Sequence, residues 1–322
     1  MKIGILGTGS IANTLAKTMC QMEEAECYAV ASRTLEKAEK FAKKYGFLKA
    51  YGSYEELAED TSVELVYIAT PHSHHFAHMK LCMEHGKPVL CEKSFTMNSR
   101  QAKEIQRLSE KYHVLAAEAI WTRYMPSRKM IDEMLASGMI GNVSMLTANL
   151  SYVICGVERI IRPELAGGAL LDVGVYPIHF ALMHFGDEIE KIESSVQYTD
   201  TSVDGMETIT IFYKNGKMAS LTAGIYARSD RKGIFYGDKG YMIVENINNP
   251  KSVAAYDLED RLIQKSEVPP QISGYEYEIR ECIDTIKKGE ICCPSVPVSD
   301  SIRVMEVMDE LRRQWKIVYP GE

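Results

Sequence analysis

Gly7-Thr8-Gly9-Ser10-Ile11-Ala12 follows a short apolar run at residues 2–6, at the start of the chain. An apolar strand that leads into closely spaced glycines and then a helix is typical of the βα turn that binds a dinucleotide. Gly7 allows the tight turn, Gly9 lets the backbone approach a pyrophosphate, and Ala12 keeps the helix close to the strand. Because the N–H groups at the start of the helix would bind the anion, we expect the whole stretch from Gly7 to Ala12 to contact the cofactor. The alternative is a glycine turn that binds no ligand.

Short apolar runs alternate with charged helical stretches over the first 120 residues, which is the pattern of a parallel sheet covered by helices on both faces. The predicted strands lie at about residues 2–6, 26–31, 65–69, 88–91 and 114–117. The predicted helices lie between them, at about residues 35–45, 75–84 and 99–112. We therefore predict an α/β fold in which residues 1–122 form a Rossmann domain with a doubly wound parallel sheet.

The pattern changes beyond residue 122, and a length of 322 residues at roughly 150 per domain predicts a second domain. One more helix at residues 127–136 is followed by strand-like segments. Asn215-Gly216 is a strong two-residue hairpin signal, and a second turn is expected at residues 237–240. We predict that residues 123–322 form this second domain. The C-terminal helix, at about residues 299–315, is a candidate for packing back on the first domain.

The composition excludes several classes of partner. The chain carries 37 Lys and Arg against 44 Asp and Glu, a formal net charge of −7, so we expect no binding to nucleic acid. No apolar run reaches the roughly 18 residues that cross a bilayer, and the chain opens on a strand rather than on a signal peptide. The eight cysteines include no CxxC pair, which favours reduced thiols. We expect a cytoplasmic enzyme with no membrane partner.

Ser32 and Arg33 follow the second predicted strand, about twenty residues after the glycine loop. An NAD enzyme usually places an Asp or Glu there to bind the ribose 2′-hydroxyl. The guanidinium of Arg33 would instead pair with a 2′-phosphate, so NADP(H) is favoured and NAD(H) is the second choice. The alternative is that Arg33 stacks on the adenine and both cofactors are used, because one charge discriminates only modestly.

Four histidines lie within seven positions, at His72, His74, His75 and His78. They follow the strand at residues 65–69 at the carboxyl edge of the predicted sheet, where an open α/β fold places its ligand. We expect Thr70, Pro71, His72 and His75 to line the cofactor cleft and His78 to lie at the surface. The alternative is a metal site, but no cysteine or carboxylate nearby completes a tetrahedral set, and we predict no metal.

Three stretches of the sequence resemble the Gfo/Idh/MocA family, named for glucose-fructose oxidoreductase and inositol dehydrogenase. They are Ala-Thr-Pro-His-Ser-His-His at 69–75, Gly-Lys-Pro-Val-Leu-Cys-Glu-Lys at 86–93 and Gly-Gly-Ala-Leu-Leu-Asp-Val-Gly-Val-Tyr at 167–176. The Glu-Lys pair carries the resemblance, which covers essentially the whole chain. Residues 118–124, Glu-Ala-Ile-Trp-Thr-Arg-Tyr, are most similar to the dimeric dihydrodiol dehydrogenase branch of the family.

The resemblance implies a C-terminal α/β domain that binds substrate and contains a large, mostly antiparallel open sheet. That sheet often forms the oligomer interface in this family, so we expect a homodimer or a homotetramer. The resemblance also implies that Glu92 and Lys93 border the cofactor and that Lys93 is catalytic. Ser94 stands where the motif has a proline, so a cis bond is costly here and we expect the backbone to differ. Tyr176 stands where inositol dehydrogenases have His, which points to the dihydrodiol and glucose-fructose branches.

Hydride transfer at an alcohol carbon needs a group that exchanges the hydroxyl proton, and Tyr176 is our candidate. The Lys93 ammonium would favour its phenolate form and stabilise negative charge on the substrate oxygen. Asp172 and His179 would share a helix face with Tyr176, and the Asp172 carboxylate would bind a substrate hydroxyl or orient Lys93. The alternatives are a surface lysine at 93, a helix N-cap at Asp172 and a core tyrosine at 176.

The remaining candidates for substrate contact are aromatic and cationic side chains, namely Trp121, Arg123, Tyr124 and Arg162. The two aromatic residues could equally pack the domain junction. We predict an NAD(P)-dependent dehydrogenase or reductase that acts on CH–OH groups of a sugar, polyol or cyclic diol. The alternatives are a regulator that binds NAD(P) without catalysis, and a lyase or glycosidase that uses the nicotinamide transiently.

Overall fold

The computed structural model describes all residues from 1 to 322. Contacts divide the chain into two compact units, and each unit contains two segments of the sequence. Unit 1 is Met1–Tyr124 with Gln271–Met305, and unit 2 is Met125–Pro270 with Glu306–Glu322. The division lies two residues from the predicted boundary after residue 122. It differs from the predicted domains for residues 271–305, which we had placed with the second domain.

Unit 1 is built on a six-stranded parallel sheet in the order β3-β2-β1-β4-β5-β6. Its strands are β1 (Lys2–Leu6), β2 (Glu26–Ala31), β3 (Lys49–Tyr51), β4 (Leu65–Ile68), β5 (Val89–Glu92) and β6 (Ala116–Ala119). The crossover helices are α1 (Ser10–Met19), α2 (Leu35–Tyr45), α3 (Tyr54–Glu59), α4 (His72–Glu84) and α5 (Ser99–Tyr112). The central strands β4 and β5 are buried throughout and apolar except for Glu92 at the end of β5, as expected for a parallel sheet covered on both faces. The Rossmann prediction is confirmed.

Local sequence signals account for several of these helix ends. Helix α2 ends at Gly46, whose φ of 76° is left-handed and therefore suits a glycine. Helix α3 begins with a capping box in which Ser53 accepts from the amide of Glu56. Helix α4 begins three residues earlier than predicted, so His72 lies in its first turn.

Unit 2 contains an eight-stranded sheet in the order β14-β13-β12-β11-β7-β10-β9-β8. Its strands are β7 (Val143–Ser151), β8 (Ile189–Tyr198), β9 (Asp204–Tyr213), β10 (Met218–Gly224), β11 (Gly233–Gly237), β12 (Gly240–Val244), β13 (Ser252–Asp257) and β14 (Leu262–Glu267). All neighbouring pairs are antiparallel except β7 and β10, which are parallel. The predicted large, mostly antiparallel sheet is confirmed. Both predicted turns, at Asn215-Gly216 and at residues 237–240, connect antiparallel neighbours.

The remaining helices are α6 (Pro126–Ala136), α7 (Glu158–Ile161), α8 (Val175–Phe185), α9 (Glu276–Lys287) and α10 (Val298–Trp315). The stretch Pro163–Phe185 has the length and mean hydropathy of a membrane span, contrary to our reading of the sequence. However, 94% of its most apolar window is buried inside the structure, as in a core helix. The stretch contains a π-helical turn at Leu170–Gly174 directly before α8.

Candidate functional site

The glycine loop joins β1 to α1 and is shaped by a close approach of two backbones. Gly7 has a φ of 103°, and a Cβ there would lie 2.8 Å from the carbonyl oxygen of Ala69, so only glycine fits. At Gly9, by contrast, a Cβ would meet no atom of the chain within 4 Å. Gly9 is the N-cap residue of α1, so no side chain caps the first turn of this helix, which begins beside the open space. The loop therefore fits an anionic group such as a pyrophosphate.

Arg33 lies just beyond the end of β2, next to the glycine loop because β2 and β1 are neighbours. Its side chain is exposed, whereas Ser32 is buried and its amide donates to the carbonyl of Tyr51 at 3.2 Å. Arg33 is close enough to act on two neighbours: its charge favours the ionised form of Tyr54 and opposes protonation of His74. Burial raises the pKa of Tyr54 and lowers the pKa of His74, and the charge of Arg33 adds to the second effect.

The segment after β4 brings Thr70, Pro71 and two buried histidines to the same sheet edge. His75 is fully buried, with Nδ1 2.8 Å from the carbonyl oxygen of Ser94 and Nε2 2.8 Å from that of Thr70. Burial lowers the pKa of His75 to about 4 against the opposing effect of the two carbonyl oxygens. The ring lies between the end of β4 and the segment after β5, and in its neutral form it donates to only one of these two carbonyl oxygens. His72 packs edge-on against it, with ring centroids 5.6 Å apart.

His78 is not the surface residue that we predicted. Its Nδ1 lies 2.9 Å from the hydroxyl of Thr70, and its ring contacts Tyr54 with centroids 4.6 Å apart. Burial, followed by the charges of His74 and His75, lowers its pKa to about 4. The prediction was wrong because His78 packs between Thr70 and Tyr54 and is only partly exposed. No group of three His, Cys, Asp or Glu side chains is arranged to hold a metal ion.

Glu92 and Lys93 end β5 and lie on the far side of β4 from the glycine loop. Glu92 is buried and accepts a hydrogen bond from the hydroxyl of Tyr67 on β4. Lys93 is half-buried, so its ammonium retains access to the sheet edge. The Lys93–Ser94 peptide bond is cis. Our expectation that Ser94 would change the backbone by disfavouring a cis bond was therefore wrong.

In unit 2 the π-helical turn Leu170–Gly174 and α8 carry Asp172, Tyr176 and His179. Asp172 is buried and accepts a hydrogen bond from the Arg159 guanidinium at 2.7 Å. Because Asp172 lies inside the π-helical turn, the alternative that it caps a helix N-terminus is wrong. Tyr176 is 8% exposed and lies in the first turn of α8, and His179 is buried one turn further along.

The other predicted substrate contacts have partners within their own units. Trp121 stacks on Tyr275 with ring centroids 4.2 Å apart, and the Tyr124 hydroxyl donates to the carbonyl of Glu118 at 2.9 Å. Arg162 is half-exposed and pairs with Glu158 and Glu164, each at 3.3 Å.

Arg123 is buried, and its guanidinium forms an ion pair with Asp300 and donates to the carbonyl of Ser295 at 3.3 Å. These partners lie more than 170 residues away in the sequence. We therefore interpret Arg123 as a structural residue and withdraw its assignment to the substrate.

We expect Arg123→Met to lower the free energy of unfolding by about 1–3 kcal/mol, because the half-exposed Asp300 reduces the cost of breaking a buried pair. Arg162→Met is the matched control and should change stability by no more than about 0.5 kcal/mol, because its partners are exposed. Urea unfolding of the purified variants measures both changes. Equal stability of the two variants would contradict the structural role of Arg123.

Three residues that contribute to these sites, Arg159, Asp204 and Glu207, were not identified from the sequence. Arg159 pairs with Asp172 although no motif marks it. Asp204 and Glu207 are fully buried acids at the start of β9, and only their unusual burial reveals them. His78 was identified in the sequence, but its contacts with Thr70 and Tyr54 were not predicted.

The predicted cofactor residues of unit 1 come together along one edge of its sheet. In spatial order, Ser32 and Arg33 follow β2, the glycine loop follows β1, Thr70 to His75 follow β4, and Glu92 and Lys93 follow β5. Four strands at about 4.8 Å spacing span roughly 15 Å, enough for an extended ligand with an anionic centre. The open space at Gly9 and the uncapped helix fit a dinucleotide there.

Comparison with known proteins matches both halves of the chain to one family. Residues 1–119 match the model of the oxidoreductase family with an NAD-binding Rossmann fold, and residues 129–243 match the GFO/IDH/MocA C-terminal domain. Trans-1,2-dihydrobenzene-1,2-diol dehydrogenase of Mus musculus is 32% identical over 100% of this chain and 99% of that protein. The human enzyme of the same name is 31% identical over the same shares of the two chains.

Solved structures show the same fold at lower identity. KijD10, a 3-ketoreductase from Actinomadura kijaniata in complex with NADP and TDP-benzene, has a TM-score of 0.90 at 24% identity, with 97% of each chain covered. A levoglucosan dehydrogenase in complex with NADH has a TM-score of 0.86 at 16% identity, covering 97% of this chain and 96% of that one. The chain therefore belongs to the Gfo/Idh/MocA family of oxidoreductases, as its sequence motifs predicted.

Proposed function

We propose that this NAD(P)-dependent oxidoreductase prefers NADP(H) and transfers hydride to or from a secondary alcohol or carbonyl of a sugar, polyol or cyclic diol. The observation that carries the proposal is the order of groups along the unit 1 sheet edge. The exposed Arg33 lies at one end, the open glycine loop in the middle and the half-buried Lys93 at the other end. A dinucleotide with its pyrophosphate at the loop would place its two ribose groups toward these two ends.

The preference for NADP(H) rests on Arg33 and on the absence of an acid beside it. Ser32-Arg33-Thr34 presents no carboxylate to a ribose 2′-hydroxyl, and the exposed guanidinium is a good partner for a 2′-phosphate. One structural relative was crystallised with NADP and another with NADH, so the fold accepts either cofactor. Selectivity between NADP(H) and NAD(H) must therefore come from the side chains of this protein.

We expect Arg33→Ser to raise the Kd for NADPH by about 10- to 100-fold and to leave the Kd for NADH within about 2-fold, because only the 2′-phosphate loses a charge-assisted hydrogen bond. Lys43→Ser is the control for net charge, since Lys43 is exposed in the last turn of α2. Fluorescence titration with both cofactors measures the change. Equal weakening of NADPH and NADH would mean that Arg33 stacks on the adenine instead.

The chemistry divides between the cofactor and the chain. When bound, the nicotinamide supplies the hydride acceptor or donor. Lys93 would hydrogen-bond the substrate oxygen and stabilise its developing negative charge. Tyr176 would exchange the hydroxyl proton, and Asp172, held by Arg159 at 2.7 Å, would bind a second hydroxyl of the substrate.

A substrate with neighbouring hydroxyl groups suits this set of side chains. One hydroxyl needs a proton acceptor, and a second can donate to the Asp172 carboxylate, whose position is fixed by an ion pair and by burial. The full-length relatives at 31–32% identity are named as dehydrogenases of a cyclic diol, which supports a cyclic diol as substrate. An aldose-aldose oxidoreductase has the same fold, so sugars and polyols are also candidate substrates.

A panel of sugars, inositols, diols and diketones, followed by cofactor absorbance with NADP(H) and NAD(H) in parallel, tests the function. We expect net NADPH formation or consumption with at least one member of the panel. Conversion of a substrate without net change in NADPH would favour the lyase or glycosidase alternative. Tight NADPH binding without conversion of any member would favour a non-catalytic regulator.

We also propose that the protein is a homodimer or homotetramer in the cytoplasm, assembled through the unit 2 sheet. Along β7, β11 and β12 the residues alternate between buried and half-exposed positions. The half-exposed set includes apolar and aromatic side chains at Met145, Ile234, Tyr236, Tyr241 and Ile243. Such a patch suits a second copy of the chain. Sedimentation velocity would measure the oligomeric state, and a monomer would contradict the proposal.

A further inference from the structure

Two buried acids lie close together at the start of β9, and neither belongs to the residues assigned to the reaction. Residues three apart in a regular strand point to opposite faces, yet Asp204 and Glu207 are both fully buried. The register explains this, because Gln197 pairs with Met206 and Tyr198 with Asp204, so Gly205 is an extra residue in a β-bulge. The bulge turns the two carboxyl groups to the same side of the strand.

The acid pair lies directly against the turn that carries Asp172. The Asp204 carboxylate accepts a hydrogen bond from the amide of Leu170 at 2.5 Å, at the start of the π-helical turn. A Cβ at Gly168 would lie 2.2 Å from an Asp204 oxygen, and a Cβ at Gly174 would lie 2.0 Å from a Glu207 oxygen. The two glycines therefore leave the space that the carboxyl groups occupy, one before the turn and one at its end.

Burial and proximity raise the pKa values of the two acids. Burial raises the pKa of Asp204, and the backbone N–H groups of Leu170 and Ala169 oppose this increase. Burial, then the charge of Asp204 and a hydrogen bond with it, raises the pKa of Glu207 well above its usual range. Burial and the charge of Asp204 therefore favour the protonated form of Glu207, which as a donor would relieve the repulsion between the two acids.

One further element of unit 2 contributes groups that face this pair. The buried phenol of Tyr319 lies within range of both acids, and its pKa is raised well above the usual value, by burial first and then by Asp204. Behind it, the Arg312 guanidinium lies 4.4 Å from the Tyr319 ring and pairs with Glu322 at 2.8 Å. The positive charge of Arg312 is thus engaged by Glu322 and by Asp309 at 3.0 Å.

We propose that Asp204 and Glu207 are positioning residues that hold the π-helical turn Leu170–Gly174 and thereby fix Asp172 and Tyr176 for the reaction. Asp204 holds the amide at the start of the turn, and Glu207 fills the space at its end while keeping Asp204 in place. The role of this acid pair rests on the proposed function of Asp172 and Tyr176. Displacement of a reacting group by about 1 Å can cost on the order of 10²-fold in rate, so a pair without substrate contact can control kcat.

Three variants separate positioning from general stability. Glu207→Gln keeps a donor to Asp204, whereas Glu207→Leu keeps the volume and removes the donor. Ile211→Val is the matched control, because Ile211 is fully buried on the same strand four residues beyond Glu207 and its truncation lowers stability without removing a carboxyl group. We expect Glu207→Leu to lower kcat at least 10-fold with KM for the nicotinamide cofactor unchanged within about 2-fold. We expect Glu207→Gln to retain kcat within about 3-fold and Ile211→Val to retain it fully.

Hydrogen exchange of the amides at residues 169–176 gives a readout that needs no substrate. We expect exchange there to be at least 10-fold faster in Glu207→Leu and unchanged in Glu207→Gln and Ile211→Val. Wild-type exchange in Glu207→Leu, or an equal increase in Ile211→Val, would overturn the proposal. If exchange responds as expected but no substrate of the panel is converted, the proposed function fails and the structural role of the pair stands. If Glu207→Leu does not fold, Asp204→Asn replaces it, with an expected 3- to 10-fold loss of kcat and faster exchange.

The pH dependence of stability provides an independent check of the raised pKa of Glu207. Because the folded-state pKa of Glu207 is raised above the usual 4.5, its contribution to stability is complete below that value and is lost as pH rises through the folded pKa. We expect the wild type to lose stability relative to Glu207→Gln as urea unfolding is repeated at increasing pH from 5 to 9. A constant difference between the two proteins would contradict a protonated Glu207.

Discussion

Lys93→Met should lower kcat by about 10³-fold while changing the Kd for NADPH by less than about 3-fold. Methionine keeps the length of the side chain but removes the ammonium that would stabilise negative charge on the substrate oxygen, and the loss of such a group costs on the order of 10²–10³ in kcat. Lys93 is half-buried at the end of β5, so the variant loses a charge and leaves the sheet edge intact. Stopped-flow absorbance of NADPH, combined with fluorescence titration, separates turnover from binding.

Lys87→Met is the control for Lys93→Met, because it removes an ammonium six residues earlier on the approach to the same strand. Lys87 is buried, and its ammonium donates to the carbonyls of Asp60 at 2.6 Å and Val63 at 3.1 Å. Its loss should reduce stability and leave kcat within about 2-fold. Unchanged turnover in Lys93→Met, or an equal loss in both variants, would remove Lys93 from the mechanism.

The cofactor edge of unit 1 could be predicted because its residues follow from topology alone. Once the chain alternates between apolar strands and helices, the carboxyl ends of neighbouring parallel strands must meet at one edge, which brings Arg33, the glycine loop and Lys93 together. Predicting which residues lie at this edge requires no knowledge of individual side-chain contacts. The short elements β3 and α3 were missed, since the three residues of β3 are not buried and α3 is only six residues long.

The residues around Asp172 could not be predicted, because their contacts depend on tertiary packing. Arg159 pairs with Asp172, which lies 13 positions later in the sequence. The chain forms two short helical turns in this region, and no periodic pattern in the sequence predicts them. The bulge at Gly205 places Asp204 beside Leu170. Because a bulge depends on the pairing with the neighbouring strand, it cannot be recognised from the sequence of one strand alone. Arg123 was assigned to the substrate for the same reason, since its partner Asp300 is remote in sequence.

The π-helical turn also explains why helical spacing described Asp172 and Tyr176 incompletely. We had placed both on one face of a regular α-helix, but Asp172 lies in the π-helical turn and Tyr176 in α8. A π-helical turn inside a helix is frequently found at functional sites, because it changes the direction of the side chains that follow. Gly174 at the junction leaves room for Glu207, which a larger residue would displace.

Tyr176→Phe is the second substitution for which we expect a large effect, a loss of about 10²–10³-fold in kcat with NADPH binding unchanged. The phenyl ring retains the packing of a side chain that is only 8% exposed, so the variant removes the hydroxyl and little else. Steady-state kinetics in both directions and a thermal unfolding curve provide the measurement.

The control for Tyr176→Phe is Tyr236→Phe, which removes a half-exposed hydroxyl from β11 and should leave kcat unchanged. If Tyr176 exchanges the substrate proton, the rate of Tyr176→Phe should also lose the dependence on pH that the wild type shows for alcohol oxidation, because no titrating group remains at that position. A variant that turns over at the wild-type rate would assign Tyr176 to the core. A variant that loses rate but keeps the wild-type pH profile would assign the proton exchange to another residue, and His179, buried one turn further along α8, would be the next to test.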